Sequence, residues 1–171
     1  MCSSDLKTYP EYFQLIQPKS PNTQDIAKQL QSDELFMAVI PLEDKTYVWA
    51  INAQGHVKFH ASEMSETEIK NQVALLRKTL DVADLGPRAP KFDVAAAHRL
   101  YTALMGPFDQ DLSKSRHLIV STSGHLAQLP FAVLTRKPDA NQPAWLIRDV
   151  AISHVPTANG WLALKIGRAH V

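Results

Sequence analysis

Ser121-Thr122-Ser123-Gly124-His125 puts two serine hydroxyls and an imidazole within five residues, the raw material of a nucleophilic hydrolase. A nucleophile elbow needs the pattern G-x-S-x-G on a strained strand-to-helix turn, and that pattern is missing. Catalytic triads are also assembled across a fold rather than along a chain, so adjacency in sequence is a poor guide. The stretch reads as a turn with exposed hydroxyls. A serine hydrolase centred on Ser121 or Ser123 would instead be labelled by a serine-directed probe. His56 and His60 fall in a predicted strand, where residues four apart share a face, but neither an H-E-x-x-H pattern nor a Cys/His cluster supplies a third metal ligand. His98 and Arg99 fall in a predicted helix and are expected to face solvent. Glycine is scarce, at 6 residues, and neither G-x-G-x-x-G nor a phosphate-binding loop occurs. The single cysteine, Cys2, leaves no internal disulfide framework. On side chains alone there is no catalytic, cofactor-binding or metal-binding set.

The elements that would have to position such groups are easier to read. Apolar residues make up 45% of the 171 and charged residues 20%, a globular balance, with enough chain to bury a core unaided. A net charge of +1 argues against a nucleic-acid partner bound by phosphate neutralisation and against a polybasic membrane surface. The apolar run 35–40 is far shorter than the ~20 residues of a membrane span. Pro10, Pro18 and Pro21 mark 7–21 as an irregular linker. Asn22 or Thr23 can cap a short helix reaching Leu30, with Asp25 near its positive end. Strands are expected at 35–40, 46–51 and 57–60, with turns at 43–45 and 52–55, giving an antiparallel meander.

The pattern then becomes helical. Ser65-Glu66-Thr67-Glu68 fits a capping box, followed by Ile69, Val73, Leu76 and Leu80 on one face. Gly86, Pro87 and Pro90 interrupt it, and Asp93 caps a second helix carrying Val94, Ala97, Tyr101 and Leu104. Strands follow at 117–121 and 150–155, with Pro130 opening a short helix over 131–134 and Thr157 capping one over 158–164. Trp49, Trp145 and Trp161 are scattered singly and are expected to pack in the core or at sheet edges. The alternation predicts an α/β fold with a partly parallel sheet covered by helices.

The two ends share a peculiarity. ATCGGAAGAGCACACGTC encodes Ile166-Gly167-Arg168-Ala169-His170-Val171, and its inverted copy, started at GTG, encodes Met1-Cys2-Ser3-Ser4-Asp5. The string resembles a short-read sequencing adapter. Segments 1–6 and 166–171 are therefore expected to be untrimmed adapter, which removes Cys2 as a candidate nucleophile. The source DNA should carry these codons at both ends; different codons would refute the reading.

The stretch 124–134, Gly-His-Leu-Ala-Gln-Leu-Pro-Phe-Ala-Val-Leu, resembles the "G-x-L-x-x-L-P-F-x-x-L" motif of the CHAT domain family, caspase-like domains found with tetratricopeptide repeats. Asp33-Glu34-Leu35-Phe36 and Tyr47-Val48-Trp49-Ala50 are similar to the family's opening meander. Leu100-Tyr101-Thr102-Ala103-Leu104-Met105-Gly106-Pro107-Phe108 resembles its "L-Y-x-L-L-x-P-L" helix, and 148–157 its "R-Y-A-I-S-Y-x-P-S" strand. The resemblance implies a caspase-like three-layer α/β sandwich, here incomplete, with an antiparallel opening meander followed by parallel strands and helices. It divides the chain into a proline-rich connector and short helix at 7–32 and the N-terminal portion of a CHAT-like domain at 33–165.

Active members of the family are cysteine peptidases whose histidine lies in a "T-H-G" stretch and whose cysteine lies in "S-A-C". Neither occurs here, and His117, His125 and His154 precede the places where that pair would fall. The resemblance thus implies a fragment without peptidase activity, from a bacterial, cytoplasmic repeat-containing protein with protein or peptide partners and no cofactor. The alternative is a non-catalytic interaction module. Strands 118–121 and 151–155 would leave an open sheet edge, through which self-association is expected.

Overall fold

The computed structural model describes residues 21–80 and 91–168. The expectations for 1–20, including the linker and the leading adapter segment, lie outside the described residues, as do those for Gly86, Pro87, Pro90 and 169–171.

Strand β1 (Glu34–Pro41) is apolar on both sides, and that decides its place. Successive side chains of a strand point to opposite faces, so Leu35, Met37 and Val39 enter one core while Phe36 enters another. Only a central strand between two covered faces satisfies such a pattern. It is joined by β2 (Thr46–Asn52), β3 (Val57–Ser62), β4 (His117–Thr122) and β5 (Ala151–Val155) in a five-stranded sheet of order β3-β2-β1-β4-β5. The first three strands form the antiparallel meander. β4 pairs parallel to β1, and β5 parallel to β4.

Helices cover both faces. Helix α1 (Thr23–Gln29) buries Ile26 and Ala27, and α5 (Ala158–Arg168) buries Trp161, against Phe36, Ile51 and Ile119. Trp161 packs against Phe36 in a tilted arrangement, at 5.2 Å between ring centroids. On the other face, α2 (Glu66–Arg77) and α3 (Val94–Leu104) present Ile69, Val73, Leu76, Ala97, Leu100 and Leu104 to Leu35, Met37, Val120 and their neighbours. The result is the three-layer α/β arrangement expected from the family resemblance.

Local chemistry sets the element ends. Asn22 Oδ1 accepts the Gln24 N–H at 3.0 Å. Ser65 Oγ accepts the Glu68 N–H while Glu68 Oε2 accepts the Ser65 N–H at 2.8 Å, completing the capping box. Asp93 Oδ1 accepts the Ala96 N–H, and Thr157 Oγ1 accepts the Gly160 N–H. In the β2–β3 turn, Asn52 Oδ1 accepts from Gln54 and His56, and Gly55 takes the left-handed φ of 79°.

Several local expectations need correction. Between β4 and β5 the chain forms single 3-10 turns at Gly124–Gln128, Phe131–Val133 and Leu146–Arg148 instead of the helix expected over 131–134. Pro130 stands just before the second turn with extended backbone, and prolines at 138 and 143 leave no uninterrupted stretch for an α-helix. His56 precedes β3 in the turn rather than lying in the strand, so it shares no strand face with His60. His98 is half-buried rather than fully solvent-facing: its Nδ1 lies 3.1 Å from the Thr135 carbonyl oxygen, which the turn-forming chain carries back over α3. A further short helix, α4 (Asp109–Leu112), follows a 3-10 turn at Gly106–Phe108.

Two substitutions test this account in denaturant titrations. Phe36→Ala opens the core shared with Trp161 and should cost about 3–5 kcal/mol. Ser65→Ala removes only a cap and should cost about 1 kcal/mol.

Candidate functional site

The family-like stretch 124–134 turns out to be a packing motif. Gly124 has φ of 59°, a left-handed conformation that favours glycine, and lets the chain turn out of β4. Leu126, Leu129, Phe131 and Leu134 are all buried in the larger core. The Phe131 N–H donates to His154 Nε2 at 3.3 Å, and the Phe131 ring meets the imidazole edge-on. Accepting that bond leaves the ring proton of neutral His154 on Nδ1. Burial of this edge of the ring pushes the His154 pKa down, although the residue as a whole stays exposed on the outer strand.

The similar motifs elsewhere behave alike. Leu100, Leu104, Met105 and Phe108 are buried, and Tyr101 donates its hydroxyl to Asp109. Burial, reinforced by that carboxylate, holds the Tyr101 phenol well above its ordinary pKa. Arg136 reaches both Asp109, at 3.4 Å, and Asp149, at 3.5 Å, so the loop before β5 is tied to the start of α4 by charge. The two carboxylates offset the Arg136 charge, while its Nε and Nη2 are buried without a hydrogen-bond partner among the described residues.

Sequence-adjacent candidates are not brought together. Thr122 is buried, Ser123 is exposed, and no hydrogen bond joins Ser121 or Ser123 to His125 among the described residues. His60 packs edge-on to Phe108 at 6.4 Å between centroids. No group of three or more His, Cys, Asp or Glu side chains is arranged to hold a metal among the described residues.

A carboxylate, an imidazole and a hydroxyl do meet where β1, β4 and β5 begin. The register sets Glu34 beside His117, and His117 beside Ala151. Ser153, two residues along, shares the face of Ala151. His117 Nδ1 lies 3.1 Å from Glu34 Oε1, and Nε2 lies 2.8 Å from Ser153 Oγ. A carboxylate can only accept, so Nδ1–H donates to Glu34 and Nε2 accepts the Ser153 hydroxyl. Glu34 is only 7% exposed, accepts the Gln31 N–H at 2.9 Å and faces Lys165 Nζ at 3.6 Å. Burial alone would raise its pKa; the Gln31 N–H, His117 and Lys165 outweigh that and lower it. Sequence reading missed this set because its members lie 83 and 36 residues apart. The one available signal, polar residues at the starts of apolar strands, is too common to single them out.

Glu34 yields a signed prediction. Its folded pKa is depressed, so its contribution is present above the unfolded carboxyl value and is lost as pH falls through the folded one. Glu34→Gln should lower stability by about 1–3 kcal/mol at neutral pH by disturbing a buried hydrogen-bonded set. The gap between variant and parent should close as the pH of the titration drops from about 5 towards 3, below the usual carboxylate range. A gap that stays constant across that window would refute the assignment.

No curated protein matches the chain. The model of the CHAT domain matches residues 94–169, from the start of α3 through β4, the 3-10 turns and β5 into α5. The matched segment contains the helix, turn and strand motifs whose side chains build the larger core. Over that segment the chain is similar to the CHAT domain family.

Proposed function

We propose that this chain is the amino-terminal, non-catalytic part of a caspase- or separase-like CHAT domain, whose histidine and cysteine belong to strands later in the full protein. The observation that carries the reading lies within the family match. There, the motif positions Leu126, Leu129, Phe131 and Leu134 are buried packing positions rather than reactive ones. Strand β5 also ends the sheet, with Ala151 and His154 exposed on it, and so offers an edge to which further strands could add. In this reading the chain supplies the meander, the first parallel strands and their helices, and thereby the rigid platform on which a thiolate and its imidazole are positioned. The parent would be a bacterial, cytoplasmic protein in which tetratricopeptide repeats recruit protein or peptide partners. Left unpaired, the β5 edge would favour self-association.

A second reading, an interaction module without chemistry, draws on the meander. Tyr47, Trp49 and Phe59 contact one another there, with centroid separations from 5.1 to 6.2 Å, and Val57 and Phe59 are exposed. Aromatic side chains are enriched at protein interfaces.

Peptide cleavage separates these possibilities. The chain 1–171 should leave a panel of fluorogenic peptides uncut, and turnover by it would overturn the proposal. The reading frame extended downstream should reveal the "T-H-G" and "S-A-C" stretches, and the longer protein should cleave peptides in a manner abolished by changing that cysteine to alanine. An extended frame lacking both residues would favour the interaction module.

A further inference from the structure

From the set at the strand starts we infer that Ser153, with His117 as its base and Glu34 as the group orienting that base, is an acylatable nucleophile for small esters with good leaving groups. This activity is separate from the cysteine chemistry proposed for the parent protein. Ser153 Oγ is 2.8 Å from His117 Nε2, within the 2.6–3.2 Å reach expected of a nucleophile and its base. The other ring nitrogen is held by a buried carboxylate at 3.1 Å, which fixes the tautomer with its lone pair towards the serine. Glu34 is in turn held by the Gln31 N–H and by Lys165, so the orienting group is itself anchored.

Access and oxyanion support follow from the edge position. The His117 side chain is 33% exposed, and β5 has a strand on one side only. The Ala151 N–H donates to the Arg116 carbonyl at 2.9 Å, towards β4. Backbone N–H groups alternate along a strand, so those of Ser153 and Val155 also point towards β4, while those of Ile152 and His154 point to the open edge. The His154 N–H therefore sits immediately after the nucleophile and outside the ladder, the position from which a backbone donor supports an oxyanion. The open strand edge suits a small acyl group with a leaving group that needs little help.

The reaction balances with groups present. Ser153 Oγ bonds to the acyl carbon as its proton passes to His117 Nε2. The ester C–O bond then breaks, and Nε2 returns that proton to the departing oxygen. Water, losing a proton to Nε2, attacks the acyl carbon, and Ser153 Oγ leaves with that proton as a carboxylic acid forms.

The test uses the full chain with a fluorophosphonate probe and with p-nitrophenyl acetate, read by intact mass and by peptide mapping, because activated esters also acylate surface lysines. One probe adduct is expected, on Ser153, together with rapid release of p-nitrophenolate. Ser153→Ala should abolish the adduct, and His117→Gln should slow labelling by about 100-fold or more. Ser121→Ala should label at the parental rate. Labelling at Ser121 or Ser123, no adduct on folded parent chain, or a His117→Gln variant that labels at full rate would each overturn the inference. If His117→Gln fails to fold, Ser153→Cys provides a second measurement: its iodoacetamide alkylation should outpace that of Ser121→Cys by at least tenfold, and equal rates would overturn the assignment. None of these outcomes bears on peptide cleavage, so this inference and the reading of the parent protein can fail separately.

Discussion

The double-sided burial of β1 governs the rest of the molecule. Leu35, Met37 and Val39 on one side, and Phe36 on the other, are all at most 2% exposed. A strand apolar on both faces is stable only with paired neighbours along both edges and a layer over each face. At ~25 cal/mol per Å² of apolar area, uncovering either face would forfeit several kcal/mol, a large part of the stability of an ordinary domain. β2 and β4 therefore flank it, with α2 and α3 above and α1 and α5 below. Because β2 returns through a tight hairpin, it must run antiparallel; β4 arrives after α2, α3 and α4 and can run parallel.

That arrangement explains why the family match rests on packing residues. Between β4 and β5 the chain has no room for a long helix and must cross the larger core in short turns. Gly124 starts the crossing, the leucines and Phe131 fill the space under α2 and α3, and Pro130 holds Phe131 so that its N–H can reach His154. A motif of glycine, leucine, proline and phenylalanine in that order describes how to pass over a sheet without a helix. Its specificity comes from shape, and it can be kept whether or not the rest of a protein is catalytic.

The parallel alignment of β1, β4 and β5 has a chemical consequence. It brings the starts of three strands side by side, and each contributes one polar residue there. Glu34 is tolerated in a nearly buried position because a backbone N–H, an imidazole and an ammonium group all face it. Without those partners the burial cost of a carboxylate would drive its pKa up rather than down. The carboxylate held in this way orients the imidazole towards Ser153. A structural requirement and a catalytic geometry are thus met by one set of bonds.

Much of the fold was legible in the residues themselves. The strands centred on Phe36, Val48, Phe59, Ile119 and Ile152, and the helices begun by Asn22, Ser65, Asp93 and Thr157, follow from periodicity and capping, which act over a few residues. The 3-10 crossing was less legible, because propensity does not report that Phe131 and Leu134 have a core to fill. The pairing of His98 with Thr135, the cluster of Tyr101, Asp109, Arg136 and Asp149, and the meeting of Glu34, His117 and Ser153 were not legible at all. Each joins residues set together only by strand register or by a returning loop. Local chemistry decided which elements form; register, fixed by burying both faces of β1, decided which polar side chains meet.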